Sequence, residues 1–215
     1  MNTVSVFIFL YLIMEAKERI ISKALELFTK AGIRQVTMDH IATSVGMSKR
    51  TIYELFKDKT EILSLCIQEM IRQHQNELHK IIDQSGNAIE ALYLIGKHGE
   101  KKKTSINYLF FDDLEKLYPR LRQLFSQKSG PGNESVTYTI LKRGIEEGIF
   151  NKGLNISIVD IFIHDMMKIV HSNATFPENT NTKDIIENIV IPYFRGISTS
   201  KGMELIEKQF LIDEI

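Results

Sequence analysis

The chain has 215 residues, of which 43% are hydrophobic and 25% charged; this balance is typical of a globular protein and excludes a disordered or fibrous chain. Its 27 basic and 27 acidic residues cancel, so the bulk charge gives no sign of a polyanion partner and any nucleic-acid contact must be local. The single cysteine, Cys66, excludes an intrachain disulfide and fits a cytoplasmic protein. We interpret it as a small buried side chain and not a redox sensor, because no second cysteine can resolve an oxidised sulfur.

The segment from Val4 to Met14 is almost entirely apolar. Its 11 residues are too few to span a bilayer, which takes about 20 in a helix. No basic residue precedes it and no small-residue cleavage site follows it, which argues against a secretory signal. An amphipathic pattern begins directly after Met14, so we expect translation to start there and residues 1–13 to be a misassigned extension. The alternatives are an added helix packed on the body and, third, a membrane anchor.

Four helices are predicted for the first part of the chain. Their expected bounds are 15–31, 37–45, 48–56 and 59–83. Thr37 and Ser48 are suitable N-caps, and Asp58 with Glu61 forms an acidic variant of the capping box that opens the long fourth helix. Gly32 and Gly46 end the first and second helices.

Everything beyond residue 87 also has a helical pattern, and no strand-like alternation of useful length occurs, so the fold class is predicted to be all-α. The predicted breaks are at 103–104, 118–119, 129–132, 151–153 and 176–181. The helices at 156–173 and 182–198 are apolar on more than one face. One face can fill the core and another can meet a second copy of the chain, the alternative being two fully buried central helices. Residues 201–215 suggest a further short helix.

The stretch from 37 to 56 has the pattern of a helix-turn-helix. Ala42 allows two short helices to cross closely, and Gly46 tolerates the positive φ of a tight turn. Ile52, six residues later, anchors the second helix of the pair on the first. That helix would enter the major groove of DNA, and the amides near Thr37 and Lys59 would suit phosphate oxygens. The outward residues near its N-terminus are Ser48, Lys49, Arg50, Thr51 and Tyr53.

The segment from Ile20 to Leu63 resembles the N-terminal DNA-binding domain of the tetracycline-repressor (TetR) family. It contains ALELF, G-x-x-x-x-T, IA-x-x-x-G, SK-x-T-x-Y and F-x-x-K in that order. The resemblance implies that Thr37, Tyr53 and Lys59 lie on the DNA backbone and that Ser48 to Thr51 supply base and nearby phosphate contacts. The sequence departs from many relatives at three positions, which leaves the operator sequence open. These are Arg50 in place of a small residue, Asp58 in place of a frequent serine, and Glu54 within the reading helix.

The predicted organisation is an apolar extension at 1–13, a three-helix helix-turn-helix domain at 14–60, and a larger helical domain for effector binding and dimerisation at 61–215. The resemblance implies pairing through the last two long helices and a ligand pocket in the larger domain. The pocket candidates are Tyr93, His98, Tyr108, Phe110, Phe111, Tyr138, His164, Met167 and His171. None of them is diagnostic, since methionine and aromatic residues at helical spacing are more often ordinary core residues. His164 and His171 share a helical face but have no third ligand at suitable spacing, so no metal is predicted.

We therefore expect a cytoplasmic, homodimeric repressor that binds a palindromic double-stranded operator and is released by an unknown small molecule, with no cofactor and no membrane partner. The alternative is a DNA-binding regulator or structural DNA-binding protein that a protein partner controls and that has no small-molecule pocket. An enzyme is not predicted, because G-x-S-x-G, a phosphate-binding glycine loop, H-E-x-x-H and paired cysteine motifs are all absent from the sequence.

Overall fold

A computed structural model of the chain describes residues 3–103, 105–128, 130–132, 135–171, 176–177 and 180–210. Over these ranges the backbone is helical with no strand, and only an isolated bridge joins Phe150 to Ser198, so the all-α prediction is confirmed. The helices are α1 (Thr3–Ala31), α2 (Met38–Val45), α3 (Lys49–Leu55), α4 (Lys59–Gln84), α5 (Ala88–Lys103), α6 (Tyr108–Leu117), α7 (Pro119–Lys128), α8 (Val136–Glu146), α9 (Ile156–His171), α10 (Thr182–Ile185), α11 (Ile191–Ile197) and α12 (Ser200–Phe210).

Helix α1 begins 12 residues earlier than the helix expected from Glu15, because it continues back through the apolar segment to Thr3. That segment contains no glycine or proline, so nothing in it stops a helix. All of its side chains except that of the half-buried Ile13 are exposed to solvent, with Phe7 69% exposed and Tyr11 61% exposed. Among the described residues no helix combines the length and apolarity needed to cross a membrane. Whether translation starts at Met14 stays a prediction.

Contacts divide the chain into two compact units that do not follow chain order. The N-terminal unit contains residues 1–74 and 101–128, and the C-terminal unit contains residues 75–100 and 129–215. Helices α6 and α7 therefore belong to the N-terminal unit although α5 precedes them. The functional boundary that the sequence suggests at residues 60 and 61 stays a prediction.

One apolar core holds the N-terminal unit together. Phe28 of α1, Ile41 of α2 and Ile52 of α3 are fully buried in it, and α6 adds Phe110 and Leu114. A buried aliphatic or aromatic side chain of this size contributes about 1.5–3 kcal/mol to folding. The short helices α2 and α3 are marginal by themselves, so this core fixes their orientation.

A second core forms in the C-terminal unit, where Phe150 is fully buried. Arg143 of α8 connects helices of this unit through hydrogen bonds. Its guanidinium donates to the carbonyl oxygens of Ile82 (2.7 Å) and Ser85 (2.8 Å), which satisfies acceptors at the end of α4. Its Nε donates to Glu147 (2.6 Å), whose carboxylate also accepts from the amide of Ala88 at the start of α5 (2.9 Å). Arg143 and Glu147 thus join α8 to the turn between α4 and α5.

The predicted helix at 182–198 is observed as α10, a π-helical segment Ile186–Val190, and α11. Pro192 explains the wide turn. Proline has no amide hydrogen, and its ring collides with the carbonyl four residues earlier in a regular α-helix. A π segment accommodates such a residue by shifting the pairing to i→i−5, as the bond from Ile191 to the carbonyl of Ile186 demonstrates.

Candidate nucleic-acid interface

The helix-turn-helix has the local geometry that its sequence predicts. The Thr37 side chain accepts from the amide of His40 (3.1 Å) at the start of α2, and Ser48 accepts from the amide of Thr51 (3.1 Å) at the start of α3. Gly46 ends α2 in the left-handed region with φ 68°. Ala42 is buried beneath the crossing, and Ile52 is fully buried. These contacts hold α3 in a fixed direction relative to α2.

An additional cap for α2 comes from a distant side chain of α1. Arg19 donates from Nη2 to the carbonyl oxygen of Val45 at the C-terminal end of α2 (2.8 Å). A cation at this end of a helix satisfies an orphan acceptor and suits the helix dipole. The two residues are 26 positions apart, so no local pattern indicates the bond.

The outward face of α3 is polar and accessible. Ser48, Lys49, Arg50 and Tyr53 are exposed, Tyr53 to 48%, while Thr51 is half-buried. The Ser48 and Thr51 hydroxyls share a hydrogen bond of 2.8 Å. The five side chains predicted to face outward from the reading helix therefore lie on α3 or at its N-cap. The arrangement offers donors to base edges and to phosphates.

Both basic side chains of this face have carboxylate partners within the chain. Lys49 Nζ lies 2.8 Å from Asp39 Oδ2, which holds the pKa of Lys49 above its usual value. Arg50 Nε lies 3.0 Å from Glu54 Oε1, one helical turn away. Exposed ion pairs contribute only about 0.2–1 kcal/mol, so DNA can displace them at small cost. The i,i+4 spacing of Arg50 and Glu54 is a visible signal in the sequence, whereas Asp39 is paired only by the fold.

The start of α4 forms the other border of this surface. Asp58 accepts from the amide of Glu61 (2.9 Å), and the Glu61 carboxylate accepts from the amide of Lys57 (2.6 Å), so the predicted acidic cap is present with its return bond moved by one residue. Lys59 is half-buried, and this burial lowers the pKa of its ammonium group, while Asp113 acts in the opposite direction. Its side chain is consequently less free than that of an ordinary surface lysine.

The interpretation of Cys66 as a buried side chain is confirmed. The residue is fully buried in α4, and its thiol donates to the carbonyl oxygen of Ile21 (3.4 Å). Burial raises the pKa of this thiol to about 12, so the reactive thiolate is scarce at neutral pH.

The predicted pocket residues are divided between the two units. Tyr108 (76% exposed), Phe111 (40% exposed) and the fully buried Phe110 belong to α6 of the N-terminal unit. Half-buried side chains in the C-terminal unit are Tyr93, His98, Tyr138, His164 and Met167. The Tyr93 ring packs edge-on against Phe210 (5.3 Å between centroids), and partial burial is the main cause that lowers the pKa of His164. The side chain of His171 lies outside the described residues. These ligand contacts stay a prediction.

Helix α9 has two apolar faces. Its buried side carries Val159, Ile163, Met166 and Val170. Its solvent side carries Ile158 (65% exposed), Ile161 (51%), Phe162 (51%) and Ile169 (45%). The exposed side borders an apolar groove of about 210 Å³, to which Ile189 of the π segment contributes. An apolar stripe of this kind is typical of a protein contact surface.

Residues 20–66 match the family model for bacterial regulatory proteins of the tetR family. Two regulators from Pseudomonas putida, SrpR and TtgW, are each 30% identical to this chain over 105 residues, or 47% of it. The match spans 48% of SrpR, which is less than two thirds of that protein, and 77% of TtgW.

A crystal structure of the regulator FadR from Bacillus subtilis in complex with stearoyl-CoA has the same fold. Its TM-score is 0.55 at 23% identity, with 79% of this chain and 95% of FadR covered. The helix-turn-helix geometry, the match to the family model and the similarity to TtgW agree. This chain therefore belongs to the tetR family of bacterial regulatory proteins and is a helix-turn-helix transcriptional regulator.

Proposed function

We propose that this regulator is a cytoplasmic homodimeric repressor that binds a palindromic operator through α3 and is released when a small molecule binds its C-terminal unit. The observation that carries the proposal is the exposed polar face of α3, a helix that the buried side chain of Ile52 anchors to the core. The family to which the chain belongs consists of transcriptional regulators. A twofold dimer presents two such helices, and they match half-sites about one DNA turn apart.

Base recognition is assigned to the first turn of α3. Arg50 can contact the O6 and N7 acceptors of guanine, and Lys49 can do the same as a single cation. Each must leave its carboxylate partner, Glu54 or Asp39, as it binds. Thr51 can contact a thymine methyl group or a phosphate. The chain carries no net charge, so this face and its flanking groups supply the attraction to DNA.

Phosphate contacts are assigned to Thr37, Tyr53 and Lys59. The Thr37 oxygen accepts an amide hydrogen bond and its hydroxyl hydrogen is still able to bind a phosphate oxygen. Tyr53 is exposed and carries a hydroxyl that can donate to a phosphate oxygen, and Lys59 adds a positive charge at the first turn of α4, where backbone amides also attract anions. These contacts fix the position of α3 and carry no sequence information.

The double substitution Tyr53→Phe with Lys59→Ala tests the phosphate contacts. Affinity for an operator duplex and for an unrelated duplex should fall by a similar factor, about 10-fold or more, because hydrogen bonds to charged groups are lost. The slope of log K against log salt should flatten by about 0.9 for each lysine contact removed. Fluorescence anisotropy over a range of salt concentrations measures both.

Lys116→Ala is the control, since it removes an exposed cation of the same unit that is paired with Asp112. Equal affinities and slopes for the double variant and the wild type would contradict the assignment.

Dimerisation is assigned to the solvent side of α9 together with the π segment and α11. Ile169 and Phe162 of α9 border the apolar groove together with Ile189, and the Phe162 ring packs on Tyr193 of α11 (4.8 Å between centroids). A second copy on this surface would remove these side chains from water. The physical support is the large exposed apolar stripe, which a monomer leaves in water.

For the ligand, the support is the FadR structure with stearoyl-CoA and the half-buried aromatic and polar side chains of the C-terminal unit. Stearoyl-CoA is the first probe. We expect it to raise the Kd of the protein for its operator at least about fivefold, within the usual range of allosteric coupling. Coenzyme A without the acyl chain is the matched control and should have no effect. An operator Kd that stearoyl-CoA leaves unchanged would contradict a long-chain acyl thioester as effector.

The alternative is control by a protein partner without a small-molecule pocket. It is favoured by the packing of the C-terminal core, in which Phe150 and Ile206 are almost fully buried, and by the location of the apolar groove on the exposed side of α9. Loss of operator binding on addition of a purified small molecule distinguishes the first proposal from this one.

A further inference from the structure

We infer that Asp113 of α6 is a positioning residue for the DNA interface, because its carboxylate holds the turn that leads into α2. This inference rests on the proposed contacts with DNA. It adds to the interface a residue from outside the helix-turn-helix, 79 positions along the chain from its hydrogen-bond partner.

The direct contact is a hydrogen bond from the backbone amide of Arg34 to Asp113 Oδ2, at 2.7 Å. Arg34 lies in the turn between α1 and α2, three residues before the N-cap Thr37. Ile33 and Val36 of this turn are fully buried, so the turn is anchored to the core on one side and to the carboxylate on the other. A charge-assisted hydrogen bond of this length is among the stronger ones in proteins.

Helix α6 reaches the turn because its start is attached to the end of α1. The amide of Asn107, the N-cap of α6, donates to the carbonyl oxygen of Thr29 (2.9 Å), and its side chain donates to that of Lys30 (2.9 Å). These bonds satisfy acceptors that the last turn of α1 leaves open.

Gly32 permits the close approach of α6 to the end of α1. It adopts φ +85°, and a Cβ placed there would lie 2.9 Å from Leu109 Cβ and 3.1 Å from Asp113 Oδ2. Asn107, Gly32 and Asp113 therefore form one continuous seam between α6 and the end of α1.

The same carboxylate acts on the other border of the interface. It opposes the effect of burial on the pKa of Lys59, and it contributes to the raised pKa of the Tyr118 hydroxyl, which burial causes in the first place. Asp113 thus holds the turn that leads into α2, and α3 shares with α2 the core that contains Ile41 and Ile52. Fixing the direction of α3, the helix assigned to base recognition, is what the carboxylate would contribute to DNA binding, so its loss should affect the operator more than scrambled DNA.

Electrostatics alone predicts the opposite result, and this makes the inference testable. Removal of a negative charge near a DNA-binding face strengthens binding to phosphates. If the position of the turn matters more, Asp113→Ala weakens binding to the operator although it removes that charge. Asp112→Ala is the matched control, because it removes the same charge from the neighbouring position of α6, where the carboxylate pairs only with Lys116 among the contacts observed for it.

The experiment measures Kd by fluorescence anisotropy for a duplex selected by the wild-type protein and for a scrambled duplex. Melting curves and stoichiometric titration determine which fraction of each variant is folded and active. We expect Asp113→Ala to raise the specific Kd of the folded protein about tenfold, the low end of the value of a hydrogen bond to a charged group. The Kd for scrambled DNA should change less than about twofold, and Asp112→Ala should match the wild type or bind more tightly. Asp113→Asn, which keeps an acceptor oxygen for Arg34, should recover most of the lost affinity.

Equal specific affinities for Asp113→Ala and Asp112→Ala would overturn the inference. A lower melting temperature of Asp113→Ala with an unchanged specific Kd of the folded protein would overturn it as well. If Asp113→Ala does not fold, Asp113→Glu decides the question, because it keeps the charge and moves the carboxylate by one methylene. A raised specific Kd then supports positioning, and an unchanged Kd overturns it. Failure of the wild type to select any duplex would instead contradict the proposed function, so the two failures are distinguishable.

Discussion

Replacement of Ile161 by glutamate is expected to leave the protein monomeric and to abolish tight operator binding. Ile161 is 51% exposed on the solvent side of α9, so the isolated subunit has no core contact to lose and should fold normally. In a dimer the new carboxylate would be buried against its copy, and the desolvation of each ion costs several kcal/mol. Without the dimer, the two reading helices no longer bind as one unit, and operator affinity should fall about 100-fold or more.

Size-exclusion chromatography with light scattering measures the mass, and anisotropy with the operator duplex measures the affinity. Met203→Glu is the matched control, because Met203 is an exposed apolar residue (39%) of α12 in the same unit. We expect it to remain dimeric with wild-type affinity. A dimeric Ile161→Glu protein that binds normally would place the interface elsewhere.

Replacement of Gly144 by alanine is expected to destabilise the fold, in contrast to the usual gain from removing a glycine in a helix. Gly144 is buried in α8, and a Cβ there would overlap the Cδ2 and Cε2 atoms of Phe150 and lie 3.1 Å from Ala88 Cβ. Phe150 is fully buried and cannot swing aside. Overpacking of this kind costs about 1–3 kcal/mol, which exceeds the gain of about 0.5–1 kcal/mol from alanine propensity.

Urea unfolding followed by circular dichroism measures this free energy. Gly96→Ala is the matched control, because Gly96 lies in α5 with no atom near the added Cβ, so the free energy of unfolding should rise by about 0.4–1 kcal/mol. A Gly144→Ala variant as stable as the wild type would mean that Phe150 can relocate without loss of packing.

Prediction from sequence was most accurate where the signal lies within four residues of its effect. Thr37 and Ser48 cap the helices they were expected to cap, and Gly46 has the positive φ expected of it. Asp58 and Glu61 open α4 at Lys59, although the return bond goes to Lys57. The start of α1 at Thr3 differs from the expected start at Glu15, because an uninterrupted apolar segment carries no signal that separates a misassigned extension from an added helix.

Contacts between distant residues had no such signal. The α3 residues proposed to face DNA are brought together by the helix itself, but Arg19 reaches Val45 and Lys49 reaches Asp39 only through the packing of α1, α2 and α3. The inclusion of α6 in the N-terminal unit was likewise not predictable. In the sequence, the end of α4 and most of α5, which belong to the other unit, separate α6 from α1, the helix that it contacts.

By itself, the sequence determined the helical fold class, the helix-turn-helix and the polar identity of its reading face, because caps, turns and helical faces depend on neighbours within one or two turns. Only the tertiary structure decided which side of α9 is exposed, that Arg143 ties α8 to the end of α4, and that Asp113 accepts the amide of Arg34. Those pairings depend on closing loops of tens of residues around a packed core, and the core, rather than local propensity, selects the partners.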